Sequence, residues 1–495
     1  MSYLSEESTG TARDYTSKAD KTSYDKGFDE GMFLNPEFWR QHALNDLIPY
    51  WYKSAIDKEY GGFHSNLSRQ WEPLPPYDKY PAMISRQIFG FSTAYLLFGE
   101  EKYINTARDG VSFLLDHGWD KEYGGWYDKI TRDGKPLETT KSIPLQLYSN
   151  VGLTMYYITT GNSQVLPFIC KSMEIQKSHG FDKEFGGYYQ ALERDLSVMD
   201  SGKNKHAHFG YVGSLLLYLW LATRDPGVLQ WECELTDITL LKMIDPLNGW
   251  VNGYMNEYDR SWTFKPYIVD GVEYIHIGAQ LTAALSFLRL YHQTGNNKYL
   301  EHGKALSDIV NKYGWDEKRG GWFDMVEKVY PHHPIPSSMV SNWILDYGCF
   351  LQLQLYRITK DKQYLERFQK SEAFWYKYIR DNEHGSVFTT VTPNGVPEAD
   401  DRKAKPWRTS YHEMEHALLN YLYLNTYVNN QSADLNYMIN NSDPQKKFYV
   451  SPIDDPAVKI TAVTVNGKPW KDFNADERSI ILPAEKNLKV RVTFA

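Results

Sequence analysis

Two hydrophobic rhythms alternate along the chain. In "SRQIFGFSTAYLLFG" (85–99) and "KYINTARDGVSFLLDHG" (102–118) apolar residues recur every three or four positions, which predicts a pair of helices. In "GGWYDKITRDGKPLETT" (124–140) the period shortens to two and an Asp133-Gly134 step marks a reversal, which predicts a short hairpin. The junction between the rhythms is a recurring string, "GWDKEYGGWYD" at 118–128, nearly repeated from Gly180 as "GFDKEFGGYYQ" and from Gly314 as "GWDEKRGGWFD". Aligning its aspartate gives Asp57, Asp120, Asp182, Asp245, Asp316 and Asp381, spaced by 63, 62, 63, 71 and 65 residues. The copies at Asp245 and Asp381 are degraded, yet each keeps a glycine four residues on. The chain is thus read as six units of two helices and a hairpin, with the glycines supplying the φ > 0 positions of each turn.

Six helical hairpins bury their apolar faces by closing into a ring. That gives a mainly α architecture, an (α/α)6 toroid over 35–442 with inner helices lining a central cavity. An open solenoid would need distinct polar capping repeats, and none stands out. A polar N-terminal extension (1–34) precedes the toroid. Beyond about Ser442 the pattern turns to β, with "AVKITAVTV", an Asn466-Gly467 turn, "RSIILPA" and "NLKVRVTFA". The tail 443–495 reads as a small strand module, a packing accessory rather than a separate binding unit.

Composition narrows the partners. A length of 495 residues, 42% hydrophobic content and a net charge of −8 describe a soluble globular chain with a large core. There is no basic excess or stripe of the kind a nucleic acid requires. Cys170, Cys233 and Cys349 are scattered and odd in number, so neither a disulfide framework nor a cysteine-rich metal site is expected. No apolar run is long enough to span a membrane, and the N-terminus lacks a signal-peptide core. The compartment is left open: cytoplasmic as read, periplasmic or secreted if a signal segment has been removed. Oligomeric state is not legible. Aromatic residues, 15% of the chain, suit the C–H faces of sugars.

Residues at one phase of a repeat share one rim of a ring. Counted from the turn aspartates, Arg86 lies 29 residues on, Gln146 26, His208 26, His276 31, Trp343 27 and His412 31. An arginine, a glutamine, three histidines and a tryptophan are therefore expected at one end of the cavity. A single histidine at such a place is more often structural; three at one phase point to chemistry.

Together the turns "GWDKEYGGWYD" and "GWDEKRGGWFD", the segment "RQIFGFSTAYLLFG" and "KPWRTSYH" resemble the signatures of the N-acylglucosamine 2-epimerase and cellobiose 2-epimerase family, over roughly 35–428. The resemblance implies an epimerase or isomerase in which one histidine takes a proton from the carbon beside a sugar carbonyl and another returns one. His276 in "YIHIGAQLTAALSFL" falls on the first position and His412 on the second. Arg86 matches the arginine that polarises the carbonyl, His208 in "NKHAHFGY" a third family histidine, and Trp343 and Trp407 the aromatic walls, with Gln146 and Tyr411 beside the substrate. The expected partner is a small sugar or oligosaccharide. Such proton transfer needs a base of pKa near working pH and a donor for the enediolate oxygen, but no metal or nicotinamide. No GxGxxG opens a helix after a strand.

Departures accompany the matches. The family's glutamate three residues after each inner-helix histidine is Tyr211 after His208 and Ala279 after His276, its tryptophan pair becomes "NWILDY", and an arginine near its last histidine becomes Glu415. "HEMEH" at 412–416 fits H-E-x-x-H, but no later histidine and no glutamate before Glu477 offers a third zinc ligand, so no metal is expected. Two rival readings use the same toroid. A glycoside hydrolase or lyase would draw an acid/base pair from Glu257, Asp270, Glu273, Asp346, Glu413 and Glu415. A non-catalytic sugar binder fits the missing glutamates but not the surviving histidines.

Overall fold

The computed structural model describes residues 30–210, 212–253, 258–336 and 339–495. Residues 1–29 of the expected extension, Tyr211 and Glu257 lie outside them. The 3₁₀ turn Glu30–Leu34 already buries Phe33 in the core.

The helices sort by how much of their surface is apolar. In Pro81–Phe98 every residue but Phe98 is buried, the polar Ser85, Arg86, Gln87, Ser92 and Thr93 included, as an inner helix surrounded by others must be. The following Glu101–Phe113 buries one stripe, including Tyr103, Ile104, Ala107 and Val111, and exposes the rest. That contrast recurs around the molecule. Pro81–Phe98, Ile143–Thr160, Leu217–Thr223, Ile277–Thr294, Asn342–Thr359 and Tyr411–Tyr423 form an inner ring. Each packs on the next, with the turn Val212–Leu216 serving for the third against the fourth, and Tyr411–Tyr423 packs back on Pro81–Phe98. Pro36–His42 with Ile48–Ser54, Glu101–Phe113, Leu166–Ile175, Pro226–Lys242, Asn297–Tyr313 and Gln363–Phe374 make the outer layer. The fold is an (α/α)6 toroid.

The repeated turn staples the ring. In each of the six copies the aspartate carbonyl accepts the N–H of the glycine four residues on. At the best-preserved copy Gly124 and Gly125 hold φ of 77° and 78°, which a side chain would strain. The aspartate carboxylate then binds across units. Asp57 takes a fork from Arg132 of the next hairpin at 2.8 and 3.0 Å. Asp120 takes one from Arg194 and Asp182 one from Arg260. Asp381 of the sixth unit takes its fork from Arg69 of the first, at 2.9 and 3.0 Å, which closes the ring. A buried lysine from the strand entering the inner helix completes each of these four sites: Lys79, Lys141, Lys203 and Lys403. The degraded units depart. Asp245 binds Lys328 of the fifth unit, and among the described residues Asp316 forms its ion pair with nearby Arg319. Short antiparallel pairings repeat the linkage, among them Lys141–Ser142 with Ala191–Leu192 and, across the closing seam, Leu67 with Ala404.

The C-terminal module joins a four-stranded antiparallel sheet, ordered Ala433–Ile439, Leu488–Phe494, Ile460–Val465, Lys468–Trp470, to a three-stranded one, Lys447–Tyr449, Ser479–Ile481, Phe473–Asn474. Its first strand starts at Ala433, upstream of the expected boundary at 443. The alternation of Ala433, Leu435, Tyr437 and Ile439 inward with Asp434 and Asn436 less buried is the period-2 signal that places it there. The module packs on the C-terminal ends of the inner helices. Asn436 Nδ2 donates to Leu96 O, and Asn440 N donates to Thr160 O. The helix N-termini and the hairpins face the other way, and that end is the mouth.

Candidate active site

The mouth gathers side chains from five inner helices. Trp343, in the first turn of Asn342–Thr359, contacts two imidazoles: its ring stacks on His276 at 5.7 Å and 22°, and meets His412 at 6.3 Å and 31°. Tyr411 packs beside His412 with ring centres 4.8 Å apart, and the Arg86 guanidinium lies 4.9 Å above the Tyr411 ring and 5.2 Å from that of Tyr148. Arg86 Nη1 donates to Trp407 O at 2.7 Å, while its buried Nε has no partner. Trp407 therefore enters the site through its backbone, holding Arg86. Arg86, His276, Trp343, Tyr411 and His412 are thus brought together.

His276 caps the N-terminus of Ile277–Thr294. Its Nδ1 accepts the Ala279 N–H at 3.0 Å, and its Nε2 lies 3.4 Å from Asp324 Oδ1. These two groups orient the ring where the family places a glutamate. Gly278 makes the stacking possible, because a Cβ there would sit 2.3 Å from the Trp343 ring and 2.8 Å from His276 Cε1. Burial pushes His276 below the ordinary imidazole value, with Lys205 adding to the effect and Asp324 opposing it. Half-buried His412 is held well below it by burial, then by Arg86 and Arg408. Its Nδ1 is buried without a hydrogen-bond partner.

Two expected residues serve elsewhere. His208 is fully buried, its Nε2 accepting Tyr188 N–H at 3.0 Å and its Nδ1 2.6 Å from Asn204 O. Gln146 accepts Trp126 N–H and donates to Trp126 O, both at 2.7 Å. Gln280 does the same to Val251. All three pin the strand that follows a glycine turn, so neither His208 nor Gln146 has a free polar group for a substrate. At that structural phase the partner of His208 is Gln280, not His276, because the insertion in the fourth unit shifts the count.

Sequence reasoning passed over residues that do surround the site. His206, two positions before His208, is half-buried and held well below the ordinary value by burial, Lys205 and His276. Lys205 Nζ lies 5.9 Å from the Trp343 ring, and Tyr347 packs on both Trp343 and His412. Nothing in "NKHAHFGY" distinguishes its two histidines except the bond His208 makes to a turn 20 residues upstream.

Of the carboxylates of the hydrolase reading, Glu273, Glu413 and Glu415 are committed to other groups and Asp346 is buried. Glu413 accepts from Trp51 Nε1 and from Ser386 Oγ. Glu415, 1% exposed, accepts from Tyr218 OH at 3.1 Å and Tyr411 OH at 3.5 Å. Asp346 is buried 3.9 Å from His416, and Glu273 pairs with Lys328. His416, the second histidine of "HEMEH", faces the outer layer and lies 2.8 Å from Glu372. Among the described residues no three metal-binding side chains converge.

A sequence profile described as N-acylglucosamine 2-epimerase (GlcNAc 2-epimerase) matches residues 61–415. The chain belongs to this family. It is an enzyme of the carbohydrate epimerase and isomerase class. The family member cellobiose 2-epimerase of Bacteroides fragilis is 25% identical over 388 residues, 74% of this chain and 93% of the relative. D-mannose isomerase of Marinomonas mediterranea is 22% identical over 408 residues, 78% of this chain and 96% of the other. The solved cellobiose 2-epimerase of Bacillus thermoamylovorans superposes with a TM-score of 0.69 at 20% identity, covering 78% of this chain and 98% of its own.

Proposed function

We propose that this epimerase-family enzyme inverts C2 of a free reducing sugar, or moves its carbonyl between C1 and C2, through an enediolate, with His412 and His276 as the proton-transfer pair. The observation that carries the proposal is that His276 and His412 both lie against the Trp343 ring, with Arg86 close by. Arg86 receives the carbonyl oxygen and the negative charge that grows on it when the C2 proton leaves. Trp343 covers an apolar face of the sugar, whereas Tyr411, expected beside the substrate, is 1% exposed and packs behind His412 and Arg86. Because the Ala279 N–H occupies Nδ1, His276 exchanges protons through Nε2, the nitrogen beside Asp324 Oδ1, and delivers the second proton from there. His412, kept neutral, takes the first proton. This reverses the order implied by the family resemblance, and the two roles exchange when the reaction runs backward.

Delivery to the opposite face of C2 gives the epimer; delivery to C1 gives the ketose. Cellobiose and mannose, taken from the relatives' names, are the first substrates to test, with glucose and N-acetylglucosamine beside them. In deuterated water the proton NMR spectrum of a true substrate loses its C2 signal while a C2 epimer or ketose appears. Absence of exchange with all four sugars, together with new reducing ends from a mannan or glucan, overturns the proposal.

A further inference from the structure

His276 stands at a place that the ring repeats, and the acid beside it comes from the next unit. It is the last residue before its inner helix and pairs with Met325, while Asp324 O accepts the N–H of Ile277 at 2.8 Å. The same antiparallel step joins Ser142 to Ala191, with Ile143 N–H on Gln190 O at 3.0 Å. It also joins Ser341 to Thr390, with Asn342 N–H on Thr389 O at 2.9 Å. His276, Ser142 and Ser341 therefore occupy one position of the repeat, and Asp324, Gln190 and Thr389 another. Backbone pairing fixes the two positions against each other whatever side chains they carry. Where the fourth unit meets the fifth they carry an imidazole and a carboxylate, and His276 Nε2 lies 3.4 Å from Asp324 Oδ1. The acid that ends the same string in the second unit, Asp128, turns into its own hairpin instead, accepting from Thr140 Oγ1 at 2.7 Å and from Ser142 N–H at 3.1 Å.

Lys205 and His206 face the His276 ring from the third unit, and Asp324 faces it from the fifth. Burial and Lys205 disfavour a proton on that ring; Asp324 favours one. With Nδ1 taken by the Ala279 N–H, the carboxylate bears on Nε2, the nitrogen left for the sugar.

We propose that Asp324 is a positioning residue for His276, reaching across from the fifth unit to align the imidazole and to serve as its counter-ion while Nε2 carries the proton for the sugar. The proposal rests on the reading of His276 as a proton-transfer group. Its test uses the full-length enzyme carrying ¹³C at histidine Cε1, with the His276 signal identified by its loss in His276→Gln. The wild-type signal is expected to titrate below pH 6.5. In Asp324→Asn and in Asp324→Ala its midpoint should move further toward acid, because the charge that opposes burial and Lys205 is gone. Both variants are expected to lower kcat about ten- to a hundredfold with KM little changed, the scale of misaligning a working group. Asp324→Glu, which keeps the charge, should recover part of the midpoint shift. Thr389→Val alters the matching place of the sixth unit and keeps its backbone pairing, so it should leave the His276 midpoint and kcat unchanged. A lowered Tm in Asp324→Asn and Asp324→Ala with the His276 midpoint at its wild-type pH would make Asp324 a prop for the hairpin and overturn the proposal. The titration needs no substrate. Failure of the epimerase reading would appear separately, as absence of C2 exchange in the wild type.

Discussion

At the scale of single residues the site separates histidines that face the cavity from one that does not, and each assignment has a kinetic consequence. Replacing His412 or His276 with Asn removes a proton-transfer group while keeping shape, and C2 exchange should fall by about 10²–10⁴. The pH profile adds a sign. Burial, Arg86 and Arg408 hold His412 well below 6.5, so the base stays unprotonated through neutrality and the acid limb of kcat/KM should lie below pH 6.5. An acid limb centred at or above 6.5 would mean that another group titrates. His208 behaves oppositely. Since Gln146 and Gln280 make its turn contact in neighbouring units, His208→Gln should keep both activity and stability. His208→Ala should instead cost about 1–3 kcal/mol in urea unfolding, because Tyr188 N–H is then buried unpaired. A thousandfold loss of activity in a stable His208→Gln enzyme would restore that histidine to the catalytic group. Gly278→Ala tests the stack itself: the added methyl displaces Trp343 or His276, so activity should drop while the fold persists.

The repeated element explains what could and could not be read from the sequence. The Asp–Gly turn was legible because its glycines and aspartate are local requirements, and counting six of them led to the toroid. Its partners were not. Arg132, Arg194, Arg260 and Arg69 lie in hairpins of adjoining units, and only the ring brings Arg69 to Asp381, 312 residues away. Phase counting found Arg86, Trp343 and His412 because their units keep the spacing. It grouped His276 with His208 and Gln146 because the fourth unit carries extra residues, so the residue at their structural place there is Gln280. The backbone N–H that replaces the family glutamate at Ala279 leaves no trace in the side-chain pattern. The seam pairing makes its own prediction. Arg69→Ala removes a two-pronged, charge-assisted bond but leaves Lys403 on Asp381, so unfolding in urea should be easier by about 1.5–3 kcal/mol. Arg69→Lys should recover little of this, since an ammonium cannot present the planar fork. Equal stability of Arg69→Ala and wild type would mean that the helix packing alone closes the ring.

For the whole molecule, the toroid has two unlike ends, and the strand module makes the closed one part of the stability of the enzyme. Its tie to the ring is the His292–Asp454 pair, 2.8 Å apart and buried. Burial alone would depress the imidazole, but Asp454 more than offsets it and raises His292 above its ordinary 6.5. The sign of the linkage follows. A group whose folded pKa is raised binds its proton more tightly in the folded state, so its contribution is complete below pH 6.5 and is lost as pH rises through the folded value. The difference in unfolding free energy between wild type and His292→Gln should therefore be largest on the acid side of 6.5 and shrink steadily toward alkaline pH. Urea denaturation of both proteins at several pH values from 6 to 9 measures that difference directly, and subtraction cancels the contributions of the buried histidines at the mouth, which the two proteins share. A difference that grows with pH would place the proton elsewhere and show that the charge of His292 is not what holds Asp454 in the ring.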